Sequence, residues 1–211
     1  MAQLLHLDSS PRSFSGTPGS HQSITRMLTQ EFVATWKATH PDGTVTYRDI
    51  GHNPVPPITE SWIAGSFTPP EQRSAELTDA LQLSDQLVDE LLAANICVFG
   101  IPMYNFSVPA VFKAYIDQIV RPGRTFAVDE NGFRGLAGDR KIVVITGRGS
   151  SFRPGTPFAQ YDYQEPYLRA VFGFIGITDI QFIHADQMTS DEATRTQVLE
   201  EARTGIKQAA A

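Results

Sequence analysis

Three stretches of this 211-residue chain gather side chains that can hold a ligand. The first runs from Ser9 to Thr25 and is rich in hydroxyls and glycine: Ser9, Ser10, Ser13, Ser15, Gly16, Thr17, Gly19, Ser20, Ser23 and Thr25. Free amides and hydroxyls ahead of a helix N-terminus suit a phosphate. The same residues also suit a solvated turn ending in an ordinary serine cap, and the sequence leaves both readings open. Neither G-x-G-x-x-G nor G-x-x-x-x-G-K occurs here, so a mononucleotide phosphate fits better than a dinucleotide. The second stretch, Pro102-Met103-Tyr104-Asn105-Phe106, sets two aromatics and an amide just past an apolar run. It suits a heterocyclic ring, whose face meets apolar side chains and whose edge meets backbone amides, or else plain packing under the next helix. The third, Gly147 to Ser151, offers close backbone approach and a cation, Arg148.

Other chemistries find little support. Cys97 is the lone cysteine and lies inside the apolar run Ile96 to Phe99, where it reads as a small hydrophobe rather than a nucleophile. The five histidines, at 6, 21, 40, 52 and 184, have no metal-cage spacing. No G-x-S-x-G elbow is present, which argues against a hydrolase. Seventeen Lys and Arg against 23 Asp and Glu give a net charge of −6, with no basic stripe for a nucleic-acid backbone. The apolar runs are far shorter than the roughly 20 residues that span a bilayer, and residues 1–20 are too polar for a signal peptide. The expectation is a cytoplasmic protein without nucleic-acid or membrane partners.

The elements that must position these loops follow from hydrophobic period. With 41% hydrophobic and 19% charged residues, the composition is that of one globular domain over residues 1–211. Leu4, Leu5 and Leu7 form a first strand, and Ile24, Met27, Leu28, Phe32 and Trp36 mark a helix over 23–39. Residues 44–50 read as a second strand, followed by a long polar connection to about residue 70. A helix carrying Leu77 to Leu92 leads to a third strand, Ile96 to Ile101. A further helix starts near Pro109, and a turn-rich connection reaches a fourth strand at 141–146. A helix to Phe174, a fifth strand at 179–185 and a polar amphipathic helix over 191–208 close the chain. Strands alternating with helices predict an α/β, doubly wound fold, a five-stranded parallel sheet with helices on both faces, for which one common strand order is 2-1-3-4-5. In that order the switch point lies between the first and third strands, where the first two loops face each other.

Pro102-Met103-Tyr104-Asn105-Phe106, with Asp8-Ser9-Ser10-Pro11-Arg12, Gly147-Arg148-Gly149-Ser150 and Gly173-Phe174-Ile175-Gly176-Ile177, makes nearly the whole chain resemble the FMN-dependent NADH-azoreductases, flavodoxin-like NAD(P)H:quinone reductases built as a three-layer sandwich. The resemblance implies FMN as cofactor and NADH or NADPH as hydride donor. It places Ser10, Ser23, Ile24 and Thr25 around the FMN phosphate. Met103, Tyr104, Asn105 and Phe106 would lie along the flavin ring, with an N–H near Asn105 facing N5, and Gly147, Arg148, Gly149 and Ser150 at the pyrimidine edge. It implies ping-pong transfer of two electrons to a quinone or azo compound by the cofactor, so no catalytic residue is named. It further implies a homodimer. Phe126, Phe133, Phe152, Phe158, Tyr161 and Tyr163 are expected in the loops that leave the same strand ends, where they would stack on a flat acceptor, and Phe126 and Phe174 are named as substrate-pocket residues. The rival reading is a flavodoxin-like FMN electron carrier that docks a redox protein.

Overall fold

The computed structural model describes residues 2–16, 22–130 and 132–211; Thr17, Gly19 and Ser20 of the hydroxyl-rich loop lie outside them. Strands β1 (Gln3–Asp8), β2 (Thr44–Asp49), β3 (Ile96–Pro102), β6 (Lys141–Gly147) and β7 (Asp179–Ala185) pair in parallel in the order β2-β1-β3-β6-β7. This is the expected arrangement. The strand numbers shift because a two-stranded antiparallel hairpin, β4 (Phe126–Asp129) and β5 (Gly132–Gly135), interrupts the turn-rich connection. The connection before residue 70 also differs from the expected loop, for it contains helix α2 (Glu60–Phe67), capped by the Thr59 hydroxyl. The helix was hidden because its eight residues are too few to show an apolar period, and its apolar Ile63 and Phe67 are exposed while only Trp62, Gly65 and Ser66 are buried.

The other helices are α1 (Ile24–Thr39), α3 (Ala75–Ala93), α4 (Ala110–Ile119), α5 (Gln164–Phe174) and α6 (Glu192–Ala209). The sheet separates two cores. One packs α3, α4 and α5 around Phe99, Phe112, Tyr115 and Phe172; the other packs α1 and α6 around Leu28, Phe32, Val143 and Ile206. Each large apolar side chain so buried stabilises the fold by about 1.5–3 kcal/mol. The central strands β3 and β6 are covered on both faces, which accounts for their unbroken apolar runs. Cys97 is one of those core residues, and burial pushes its thiol up to about 12. Among the described residues, no helix is long and apolar enough to cross a membrane.

Because all five strands run the same way, their carboxyl ends form one edge, and the loops after β1, β3, β6 and β7 open there. Helices α4 and α5 run back to the opposite edge. Phe126 and Phe174, at the far ends of those helices, therefore sit at the amino ends of the strands. This corrects the expectation that Phe126 and Phe133 share the strand ends of the ligand loops. The 11 residues of α5 alone span about 16 Å.

Candidate functional site

Helix α1 begins where the hydroxyl-rich loop ends. The Ser23 hydroxyl caps it by accepting from the Arg26 amide at 3.3 Å, and the hydroxyls of Ser23 and Thr25 lie 3.2 Å apart. The amides of Ile24 and Thr25 are the first donors of the helix, with no intrahelical acceptor to meet. The cap and the anion site are thus compatible, since capping uses an acceptor lone pair and leaves donors in front. Under this loop lies a side chain that the sequence did not single out. Arg26 is buried and makes paired hydrogen bonds to Asp49, while its Nη2 donates to the Ser10 carbonyl at 2.6 Å. Asp8 stands 3.6 Å from the same guanidinium. Burial works against the charge on Asp49, but Arg26 and the His52 amide hold its carboxyl down to about 2. Gly51 completes the seat, for a Cβ there would stand 2.1 Å from the Ser10 carbonyl oxygen.

The loop after β3 makes a tight reversal. Tyr104 and Ser107 exchange backbone hydrogen bonds at 3.0 and 3.1 Å, and Asn105 and Phe106 between them have φ of 47° and 72°. Two successive left-handed residues inside a two-residue connection make a type I′ turn, unusual for a bulky phenylalanine. The turn is braced from outside by the Met103 amide on the Gly147 carbonyl and the Tyr163 amide on the Phe106 carbonyl.

After β6, Arg148 turns inward. Its guanidinium, about 1% exposed, donates to Asp186 at 2.5 and 3.2 Å and to Asp162 at 3.0 Å. Its charge is therefore consumed by two carboxylates, and its role is to tie the loop after β6 to the loop after β7. The Met188 amide on the Arg148 carbonyl and the Thr189 hydroxyl on the Gly149 carbonyl continue that tie.

These loops enclose a cleft of about 230 Å³ lined by Ser10, Arg12, Gln22, Ser23, Ile24, Thr25, Pro102, Met103, Tyr104, Gly147, Arg148, Gly149, Met188 and Thr189. Of the residues expected from sequence, Ser10, Ser23, Ile24, Thr25, Met103, Tyr104, Gly147, Arg148 and Gly149 meet in this cleft. Asn105, Phe106 and Ser150 stand beside it, outside its lining. The contribution of the β7 loop, Met188 and Thr189, carried no signal in sequence, because nothing in that polar segment marks it apart from any other surface turn. Phe126 and Phe174 do not line this chain's cleft. They pack against each other with ring centroids 4.9 Å apart, beside Phe133, which is 69% exposed. A different aromatic group does stand near the cleft: Phe106 stacks on Tyr161 at 5.2 Å and meets Phe152 at 6.3 Å.

A larger cleft, about 830 Å³, lies beyond Arg148 along edge strand β7. It is a groove against an outer strand rather than a switch-point crevice, and its cations Arg153 and Arg169 are paired with Glu201 and Glu165. The smaller cleft is better suited to an anionic cofactor. It has no carboxylate in its lining, although the protein is acidic, and it combines hydroxyls, helix-start amides and an apolar slot at Met103. Those donors and that slot suit a flavin mononucleotide.

The flavodoxin-like fold family model matches residues 2–210. An FMN-dependent NADH:quinone oxidoreductase of Trichormus variabilis is 55% identical over all of this chain and 99% of its own length. One from Acidobacterium capsulatum is 42% identical over the full length of both. Among solved structures, an azoreductase from Bacillus anthracis superposes with a TM-score of 0.84 at 28% identity, covering 99% of this chain and 100% of that one. With the sheet order, the cleft and the relatives in agreement, the chain belongs to the flavodoxin-like FMN-dependent NADH:quinone oxidoreductases.

Proposed function

We propose that the protein binds FMN in the cleft at the carboxyl ends of β1, β3 and β6 and uses NADH or NADPH to reduce quinones and azo compounds by a ping-pong exchange of two electrons. The observation that carries this reading is the carboxylate-free cleft, where donors meet at one end and an apolar slot at the other. FMN, when bound, supplies the redox chemistry by accepting hydride from the nicotinamide and returning it, with a proton from water, to the acceptor. The chain's own residues hold and orient. Ser10, Ser23 and Thr25, with the amides opening α1, take the phosphate. Arg26 fixes the Ser10 carbonyl behind them. The outward N–H groups of the Asn105-Phe106 turn meet the ring edge near N5, and the Gly147 to Ser150 backbone meets the pyrimidine edge. Hydrogen bonds from fixed amides stabilise the negative charge that builds there on reduction.

The flat, electron-poor acceptor stacks above the ring against aromatics. Phe106, Phe152 and Tyr161 supply them from this chain. Phe126 and Phe174, at the opposite edge of the sheet, serve a cleft only in a homodimer, each copy offering them to the other. Val128, 62% exposed, extends the apolar surface around them. The electron-carrier reading is not favoured, since the full-length relatives are named as oxidoreductases. The test is an anaerobic absorption spectrum of the FMN-loaded protein. NADH is expected to bleach the flavin band and menadione to restore it. A protein that takes up no FMN, or holds FMN that NADH cannot reduce, defeats the proposal.

A further inference from the structure

A second cavity of about 440 Å³ lies away from the cleft, between the end of α2, the middle of α3 and the turn after α4. Three arginines line it: Arg73, Arg121 and Arg124. One carboxylate in its wall, Asp85, stands between two of them, 3.3 Å from Arg121 and 2.9 Å from Arg124. Asp89 takes the other end of Arg124. Arg73 donates its Nε to the carbonyls of Gly65 and Thr68 at 3.0 and 2.9 Å, and among the described residues its charge has no carboxylate. The cavity therefore holds more cationic than anionic charge in a protein of net charge −6.

Arg121 makes the case specific. Its side chain is 1% exposed, and its guanidinium sits over the Trp62 ring at 5.5 Å. One Nη donates to Ser84, yet Nε is buried without a partner, and so is the indole Nε1 of Trp62. Two buried donors of one Arg121–Trp62 stack are thus without partners among the described residues, and Arg121 lines the cavity beside two more arginines. Native interiors rarely leave such groups unmet, and a buried guanidinium is costly unless compensated. Burial lowers the Arg121 pKa, with Arg73 and Arg124 adding to that effect and Asp85 opposing it.

We propose that this cavity is a phosphate-type oxyanion site, held by Arg121 with Arg73 and Arg124 as its outer arms. A guanidinium fork matches the paired oxygens of such an anion, and the hydrogen bonds are charge-assisted. The site is separate from the cleft at the carboxyl ends of the strands, with which it shares no lining residue.

The test is calorimetric titration of inorganic phosphate into FMN-saturated protein at constant ionic strength set with KCl, so that the cleft is already filled. Wild type is expected to bind phosphate saturably, and Arg73→Gln and Arg124→Gln each to bind it roughly tenfold more weakly or not at all. Both variants leave the cleft untouched, so if FMN does not bind, the same comparison on FMN-free protein still isolates the arginine cavity. Two variants guard against one of them failing to fold. A parallel titration with adenosine 2′,5′-diphosphate distinguishes sources. Tighter binding than phosphate, lost in the variants, assigns the anion to a nucleotide, whereas equal or weaker binding assigns it to a free oxyanion. No saturable binding, or binding unchanged by both substitutions, overturns the proposal.

Discussion

The two ends of the sheet use arginine in opposite ways. At the carboxyl edge, Arg26 and Arg148 are buried and spent on carboxylates, Asp8 and Asp49 for one, Asp162 and Asp186 for the other. They hold loops in place, and beside them the cleft presents hydroxyls, helix-start amides and the exposed Arg12. In the cavity at α2, α3 and α4, the arginines themselves form the wall and their carboxylate partners are too few. The lesson is that a cation near a site can be scaffold or ligand, and only its partners tell which. Pre-paired charges fix geometry at little cost to the cofactor, while underpaired ones wait for an anion.

The comparison breaks most sharply at Arg148. Replacing it with Met leaves the buried Asp186, among the described residues, with only the exposed Arg153, 3.8 Å away, and removing one partner of a buried pair costs about 3–5 kcal/mol. Arg148→Met should lower unfolding stability by that order in urea titrations, and loosen FMN through the loops it joins. If stability holds and only FMN affinity falls, Arg148 touches the cofactor directly and is not scaffold. Two glycines sharpen the contrast between the ends. Gly51→Ala drives a methyl to 2.1 Å from the Ser10 carbonyl, and Gly135→Ala drives one to 2.1 Å from the Gly176 amide under the hairpin. Backbone cannot yield as a side chain can, so each should cost about 3 kcal/mol. Only Gly51→Ala should weaken FMN binding, by about 100-fold by fluorescence titration. Gly135→Ala should keep FMN and instead lower dimer content in size-exclusion chromatography.

That contrast also explains what could be read from the chain. The strands and the three ligand loops were legible because they follow from local patterns: apolar runs, a hydroxyl-rich entry to α1, and punctuation after β3 and β6; the individual cleft residues came from the family resemblance. The hairpin was hidden because Phe133 and Val128 are exposed, so no alternation of buried and open positions marks its strands. Arg26, Asp186 and the Arg121 cavity were hidden for another reason. Arg26 looks like any polar residue in the first turn of a helix, and its partners Asp8 and Asp49 come from two strands. Pairings across 38 residues, as between Arg148 and Asp186, exist only once the sheet has formed.

A smaller effect tests the scaffold at Asp49. Arg26 and the His52 amide hold its carboxyl at about 2, well below the ordinary 3.8, against the opposing effect of burial. The side chain is mostly buried, and the shift corresponds to about 2 kcal/mol. Since the folded value lies below the unfolded one, this stability is fully present above about pH 4 and drains as pH falls toward 2. Unfolding free energy measured against pH should drop over that window in wild type, and Asp49→Asn should flatten the slope. An unchanged slope would show that Arg26 does not depend on Asp49 for its place.

The smallest effect addresses the turn after β3, where strain and function meet. Asn105 at φ 47° and Phe106 at φ 72° make a type I′ pair whose second position favours glycine, and a bulky residue held there costs about 1–3 kcal/mol. Replacing Asn105 with Pro would not isolate the N–H, because proline is fixed near φ −65° and would open the turn as well as remove the donor. Asn105→Gly keeps both the donor and the positive φ while deleting the side chain. If the ring edge is met by backbone alone, FMN affinity and the rate of flavin reduction by NADH should stay within about twofold, and stability within about 1 kcal/mol. A tenfold loss in stopped-flow reduction with FMN still bound would move the contact from the backbone to the Asn105 side chain. The ring edge would then be met by a side chain and not by the fixed amides of the turn.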